Sequence, residues 1–260
     1  MIRCMRLGFV VLLLLLLVQY ASLASVKYSQ APGWEWPQAY DFSSEDKRGV
    51  TGATVYLAEM ADDWICPDGR DITDIHWWGS YWVYNGSYYP YSDWIDGADA
   101  PSGMQGFTIT VYENATGSYD HPGAVKWSHY FPGSANETYV TTVTKTPVGQ
   151  APVTQKVYSY SVDLTSDPNL WISQVQGQKY WLSIQARNDD TGIQWGWHES
   201  DGPYGDNSLQ KIGGQGNWIL ACSGHDLAFE LTTVPEPGSL MALGAGLVSM
   251  GGFMLRRRRS

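Results

Sequence analysis

An all-β chain, folded as a single β-sandwich or jelly-roll-like domain, is what this sequence predicts, and three observations predict it. Apolar residues in the middle of the chain recur at every second position. Turn dipeptides separate these runs at short intervals, and no stretch between the two ends carries an apolar period of 3.6. A chain of 260 residues suits one such domain. With 13 Trp, 17 Tyr and only 16% charged residues it is no disordered tract, and 3 Cys cannot staple a chain this long.

The first 24 residues read as a signal peptide. Arg3 and Arg6 form a positive start, Phe9 to Val18 is an unbroken apolar run, and Ser22-Leu23-Ala24 fits the small-residue cleavage rule. The alternative, an uncleaved anchor, suffers from an apolar core shorter than the ~20 residues that span a bilayer.

Residues 25–234 form the predicted β domain. Phe107, Ile109 and Val111 alternate with Thr108, Thr110 and Tyr112; Tyr180, Leu182, Ile184 and Ala186 alternate with Trp181, Ser183, Gln185 and Arg187. Leu227, Phe229 and Leu231 repeat the pattern near the end, and similar runs cover 53–59, 72–84, 137–145 and 155–164. Turns fall at Asp68-Gly69, Asn85-Gly86, Asp96-Gly97, Pro132-Gly133, Thr191-Gly192 and Asp201-Gly202-Pro203. Many short strands at this spacing suit a sandwich or jelly roll.

Residues 235–260 have three parts. Pro235-Glu236-Pro237-Gly238 stops any strand or helix, Leu240 to Leu255 is apolar or small throughout, and Arg256, Arg257, Arg258 and Arg259 close the chain before Ser260. A short apolar helix followed by an Arg cluster is a stop-transfer design, with the arginines cytoplasmic and the preceding domain outside. Sixteen residues rise only ~24 Å, short of a ~30 Å hydrocarbon core, so the span suits a tail that is removed. An ordinary C-terminal anchor is the alternative.

These residues resemble the PEP-CTERM sorting signal over about the last 26 positions. The resemblance implies that Pro235, Glu236 and Pro237 are the sorting motif and that an exosortase-type membrane transpeptidase removes the tail. It further implies a cell that makes extracellular polysaccharide or biofilm matrix. The protein would be exported to the cell envelope or beyond, with only a transient inner-membrane anchor.

Of the 16 Lys and Arg, six lie in the two ends, and of the 26 acids only Glu236 does, which leaves residues 25–234 with a net charge of −15. Such a surface disfavours nucleic acid and anionic membranes. Cys4 leaves with the signal peptide, so Cys66 and Cys222 remain; one disulfide and two separately buried thiols both fit.

The most distinctive stretch is Asp62-Asp63-Trp64-Ile65-Cys66 followed by Ile72 to Trp82. As a strand it places Ile75, Trp77 and Tyr81 on one face, and Asp74, His76, Trp78, Ser80 and Trp82 on the other. The second face joins two indoles to a carboxylate and an imidazole, the ingredients of a sugar-stacking platform. Trp195 and Trp197 share a face with Gly196 between them and make a second candidate. The simpler reading is that these indoles fill core.

The segment resembles a family of secreted bacterial β domains with no assigned function, through Asp63-Trp64-Ile65-Cys66 and Ile72-x-x-Ile75-x-Trp77-Trp78-Gly79-Ser80. Ser118-Tyr119-Asp120-His121-Pro122-Gly123, Trp195-Gly196-Trp197 and Asp226-Leu227-Ala228-Phe229 also match. The likeness spans roughly residues 28–233 and transfers no activity; the aromatic insertion Tyr84 to Asp99 departs from it.

Asp189 and Asp190, with Asp201 and Asp206, stand in carboxylate-rich turns that could supply part of a structural calcium shell, although neither turn has EF-hand spacing. No other cofactor is expected, and the five His show no zinc spacing. No G-x-S-x-G, P-loop or dinucleotide motif is present. Glu59, Glu113, Glu199 and Glu230 could in principle furnish a carboxylate pair, a condition any acidic protein meets. The sequons at Asn85, Asn114 and Asn136 mark expected exposed turns.

The sequence therefore favours a non-enzymatic exported domain with a structural or adhesive role in exopolysaccharide. A carbohydrate-binding module using paired Trp is the rival, and a glycan-active enzyme the third reading.

Overall fold

The computed structural model describes residues 25–34, 41–46, 57–83, 97–98, 104–145, 153–189, 192–213, 216–221 and 224–234. Fourteen strands run through these residues. The first seven are β1 (Ser25–Gln30), β2 (Asp41–Ser43), β3 (Ala58–Ile65), β4 (Asp74–Val83), β5 (Gly97–Ala98), β6 (Met104–Ala115) and β7 (His121–Pro132). The rest are β8 (Thr138–Lys145), β9 (Val153–Asp163), β10 (Lys179–Asn188), β11 (Ile193–His198), β12 (Leu209–Ile212), β13 (Ile219–Leu220) and β14 (Phe229–Thr233). The one helical element among the described residues is a 3₁₀ turn at Pro168–Leu170, started by Asp167, whose carboxylate accepts from the Asn169 N–H.

The strands form two sheets. The first is eight-stranded, with β1-β14-β4-β11-β2 in order, β9 and β5 also paired to β4, and β8 paired to β9. The second is six-stranded, in the order β13-β12-β3-β10-β6-β7. Consecutive strands repeatedly change sheet, β3 to β4 and β10 to β11 among them, so the chain stitches two layers around one core.

That core is aromatic. Trp77, Tyr81, Tyr160, Trp195, Trp197 and Phe229 come from the first sheet, and Trp64, Phe107, Ile109, Val111, Tyr180 and Leu182 from the second. Phe107 meets the first sheet edge-on, its ring centroid 5.2 Å from Trp77 and 5.3 Å from Trp195, while Trp77 stacks on Tyr160 at 13°. Two of the buried indoles donate within the core, Trp64 to Gln174 and Trp197 to the Ala228 carbonyl.

Two strands differ from the sequence expectation. Of the predicted run 53–59, residues 53–56 lie outside the described residues; β3 starts at Ala58 and continues through Asp62 and Asp63 to Ile65. β7 was not expected, because Pro122 and Gly123 open it; as an edge strand with shifts in its register to β6, it tolerates both. Leu227 lies before β14 and forms an isolated bridge with Glu199. The expected signal peptide, the expected C-terminal span with the Arg cluster, and most of the insertion from Tyr84 to Asp99 lie outside the described residues. Among the described residues no helix is long and apolar enough to cross a membrane.

Phe107 is the second sheet's contact with both Trp77 and Trp195. Phe107→Ala should therefore cost about 3–5 kcal/mol, the range for aromatic truncation in a packed core, read as a lower urea midpoint at unchanged m-value.

Candidate functional site

The face split expected for β4 is present. Ile75, Trp77 and Tyr81 are buried, while Asp74, His76, Trp78 and Trp82 are half-buried on the opposite face. His76 Nε2 lies 2.6 Å from Asp74 Oδ2, and that hydrogen bond raises the imidazole pKa against a smaller opposing effect of burial. Trp78 packs on Val143 and Val157. The Trp82 indole donates to Gln194 at 2.9 Å and covers Gly196, where a Cβ would stand 2.0 Å from its ring.

Trp195 and Trp197 are fully buried, which corrects their candidacy as a stacking pair. Trp195 fits because Gly79 has no side chain: a Cβ there would lie 2.6 Å from the indole. Gly196 thus makes room for Trp82 on the other face rather than between Trp195 and Trp197. Of the described tryptophans only Trp34 is classed as exposed.

A second group of polar residues gathers around β3. Its adjacent aspartates point to opposite faces. Asp62, opposite Leu182, turns inward and accepts from the N–H groups of Asp63 and Leu227. Asp63 turns outward, yet is only 2% exposed, because the loop after β11 lies over it. Asp63 Oδ1 accepts from the Asp206 N–H at 2.8 Å, and a Cβ on Gly205 would come within 2.7 Å of the same oxygen. Asp226, also buried, accepts from the Tyr204 N–H. Burial raises all three carboxyls: Asp62 well above its ordinary range, with help from the Asp226 charge, Asp63 to about 6, and Asp226 in the same direction.

Lys179, at the start of β10, sits over this group. Its Nζ lies 2.5 Å from Asp206, 3.1 Å from Asp120 and 3.6 Å from Asp63. Lys179, Asp120, Gly205 and Asp206 border an open cleft of about 460 Å³, completed by Tyr119, Asn207, Leu209 and Leu220. A second open cleft of about 380 Å³ lies among Gln105, Thr108, Tyr130 and Arg187. Sequence reasoning did not single out Lys179; the available signal was the Ser118–Gly123 segment, with Asp206 weighed only as a calcium ligand.

The described calcium candidates each meet a different partner. Asp206 is paired with Lys179, Asp189 lies 3.5 Å from Arg187 Nε, Asp201 accepts from the Tyr204 hydroxyl, and Asp190 lies outside the described residues. Among the described residues no group of three or more His, Cys, Asp or Glu could hold a metal ion. Cys66 is buried and its sulfur accepts from the Gly69 N–H, while Cys222 lies outside the described residues, as do Pro235–Pro237 and the Arg cluster. Asn114 is no open turn: it lies in β6 and accepts from the Trp181 indole.

The raised carboxyls fix a pH response. Between roughly pH 4 and 6 the folded chain holds protons that the unfolded chain has released, so this contribution to stability grows as pH falls toward 5. Asp68 acts oppositely and lower. Against a burial penalty, Lys27 and Arg70 hold it at about 2, a contribution lost only as pH drops below 4. Asp63→Asn should flatten the rise between pH 7 and 5 by about 1 kcal/mol; urea midpoints across pH for both proteins measure it.

Two family models match the chain. One, described as a domain of unknown function (DUF7901), covers residues 26–232, and the other, described as a PEP-CTERM protein-sorting motif, covers 233–259. No curated protein matches.

Proposed function

The chain belongs to the DUF7901 family and carries a PEP-CTERM sorting motif behind that domain, and on this premise we propose a non-enzymatic exported protein, structural or adhesive within exopolysaccharide. The sorting motif at 233–259 is the observation that carries the reading. It implies export and processing by a membrane exosortase; residence at the envelope or in the surrounding matrix is the finer part of the proposal.

The make-up of the domain supports a scaffold. Trp64, Trp77, Trp181, Trp195 and Trp197 are fully buried, and two of the candidate carboxylates are held by partners within the fold. Glu59 accepts from Tyr112 and Ser183 and pairs with Lys211 at 2.6 Å, and Glu199 is bonded to His225. A carbohydrate-binding module is the second reading. The half-buried Trp78 and Trp82 beside the Asp74–His76 pair favour it, as does the cleft at Lys179.

Replacing Pro235, Glu236 and Pro237 together with Ala tests the sorting claim. β14 ends at Thr233, so the domain keeps its strands. An unprocessed, membrane-bound precursor in fractionated cells is the expected outcome; release unchanged from the native chain would refute it.

A further inference from the structure

The Ser118–Gly123 segment has no use in the sorting function, and the fold brings it to the mouth of the cleft at Lys179. We propose that this cleft binds a neutral hexopyranose, offered as the end or a branch of a glycan. The inference rests on the glycan association proposed above for its setting, but its site is on a different sheet from the β4 tryptophans.

The first argument is charge. Three carboxylates surround one ammonium, with Asp206 and Asp120 within 3.1 Å of Lys179 Nζ and Asp63 at 3.6 Å. A phosphate or uronate entering here meets a net negative field on a domain that is itself strongly acidic. A divalent cation finds the centre of the carboxylates already held by the lysine. What remains is an uncharged ligand rich in hydroxyls, for which carboxylates accept and the ammonium donates.

The second argument is shape. The cleft's lining is mixed: Lys179, Asp120, Asp206 and Asn207 are polar, and Tyr119, Leu209 and Leu220 supply apolar surface. A pyranose has a matching mixture, hydroxyls at its rim and C–H groups on its ring face. Tyr119 is 41% exposed, and its hydroxyl is tied to the Trp218 carbonyl at 2.5 Å, which fixes the ring. Beneath the polar side, Asp63 holds the Asp206 N–H, and Asn207 accepts from the Gly224 N–H. The polar groups are therefore set before a ligand arrives, which lowers the ordering cost of binding.

Saturation-transfer NMR on the full chain, in a detergent without a sugar headgroup, tests this. The probes are the methyl glycosides of glucose, galactose and mannose, with methyl glucuronide and glucosamine as charged counterparts. At least one neutral probe should bind with a dissociation constant of about millimolar order, in keeping with a ligand of about a dozen heavy atoms. The glucuronide should give at least a tenfold weaker signal. Tyr119→Ala and Asp206→Asn should each reduce the neutral signal about fivefold or more, Val140→Ala at an exposed position of β8 should leave it unchanged, and Trp78→Ala reads the rival site on β4; Leu220→Ala replaces either cleft variant whose near-UV circular dichroism departs from the native chain. No neutral binding, binding of the glucosamine alone, or a loss seen only in Trp78→Ala overturns the site. Because the readout needs no cells, it fails or succeeds independently of the sorting experiment.

Discussion

Two adjacent aspartates on one strand hold the two faces of the second sheet in place. Asp62 fastens the segment before β14 from inside the sandwich, through the Leu227 N–H, and Asp63 fastens the loop after β11 from outside, through the Asp206 N–H. Buried carboxylates are costly unless their oxygens are satisfied, and here backbone N–H groups satisfy them. The strain of this choice shows in the raised pKa of both acids, driven first by burial. Without the clamp, the loop bearing Gly205 and Asp206 has no anchor on β3, and Lys179 would face two fewer fixed partners. The cleft is thus a consequence of how the sheet edge is tied down.

The tryptophans follow a different constraint, that of volume. β4 and β11 run antiparallel with Trp195 opposite Tyr81 and Gly196 opposite Ser80. Each strand yields space where the other's indole lies, Gly79 under Trp195 and Gly196 under Trp82. A ring of this size between neighbouring strands leaves no room for a Cβ, so the two glycines serve packing rather than backbone freedom. A chain rich in tryptophan is therefore a weak sign of sugar binding by itself. Indoles that interleave with glycine across a strand pair, as Trp195 and Trp82 do, are held there by packing.

Much of this was legible in the chain. Period-two alternation located β6, β10 and the two faces of β4, because a strand with one buried face must place apolar residues at every second position. The same rule failed at β3, where Asp62 is buried and so looks polar while standing at a core position. It missed β7, an edge strand whose inward Trp127 and Phe131 are only half-buried while apolar Val125 and Tyr130 stand exposed, so apolar and polar residues do not alternate cleanly. The cleft was hidden for another reason. Tyr119 and Asp120, Lys179 and Asp206 are far apart in sequence and meet only through the order of strands in the sheet, which no local pattern encodes. Asp206 could be noticed, but without Lys179 beside it a carboxylate in a turn suggests a metal.

That pairing changes what the acidic surface means. An excess of carboxylates attracts divalent ions in general, yet where Lys179 sits among three of them the attraction is already spent. Long-range repulsion still acts on anions, weakening over the ~10 Å Debye length of dilute salt. An anionic polysaccharide near such a domain is kept at a distance, while a neutral one feels no barrier and can be held by short-range contacts alone. Under the proposed reading, charge would select the partner by exclusion, and the contacts at the cleft would need to supply only modest affinity. Adhesion within a matrix would then come from many weak contacts between many copies and a long chain, since linked binding events raise avidity without any single tight site.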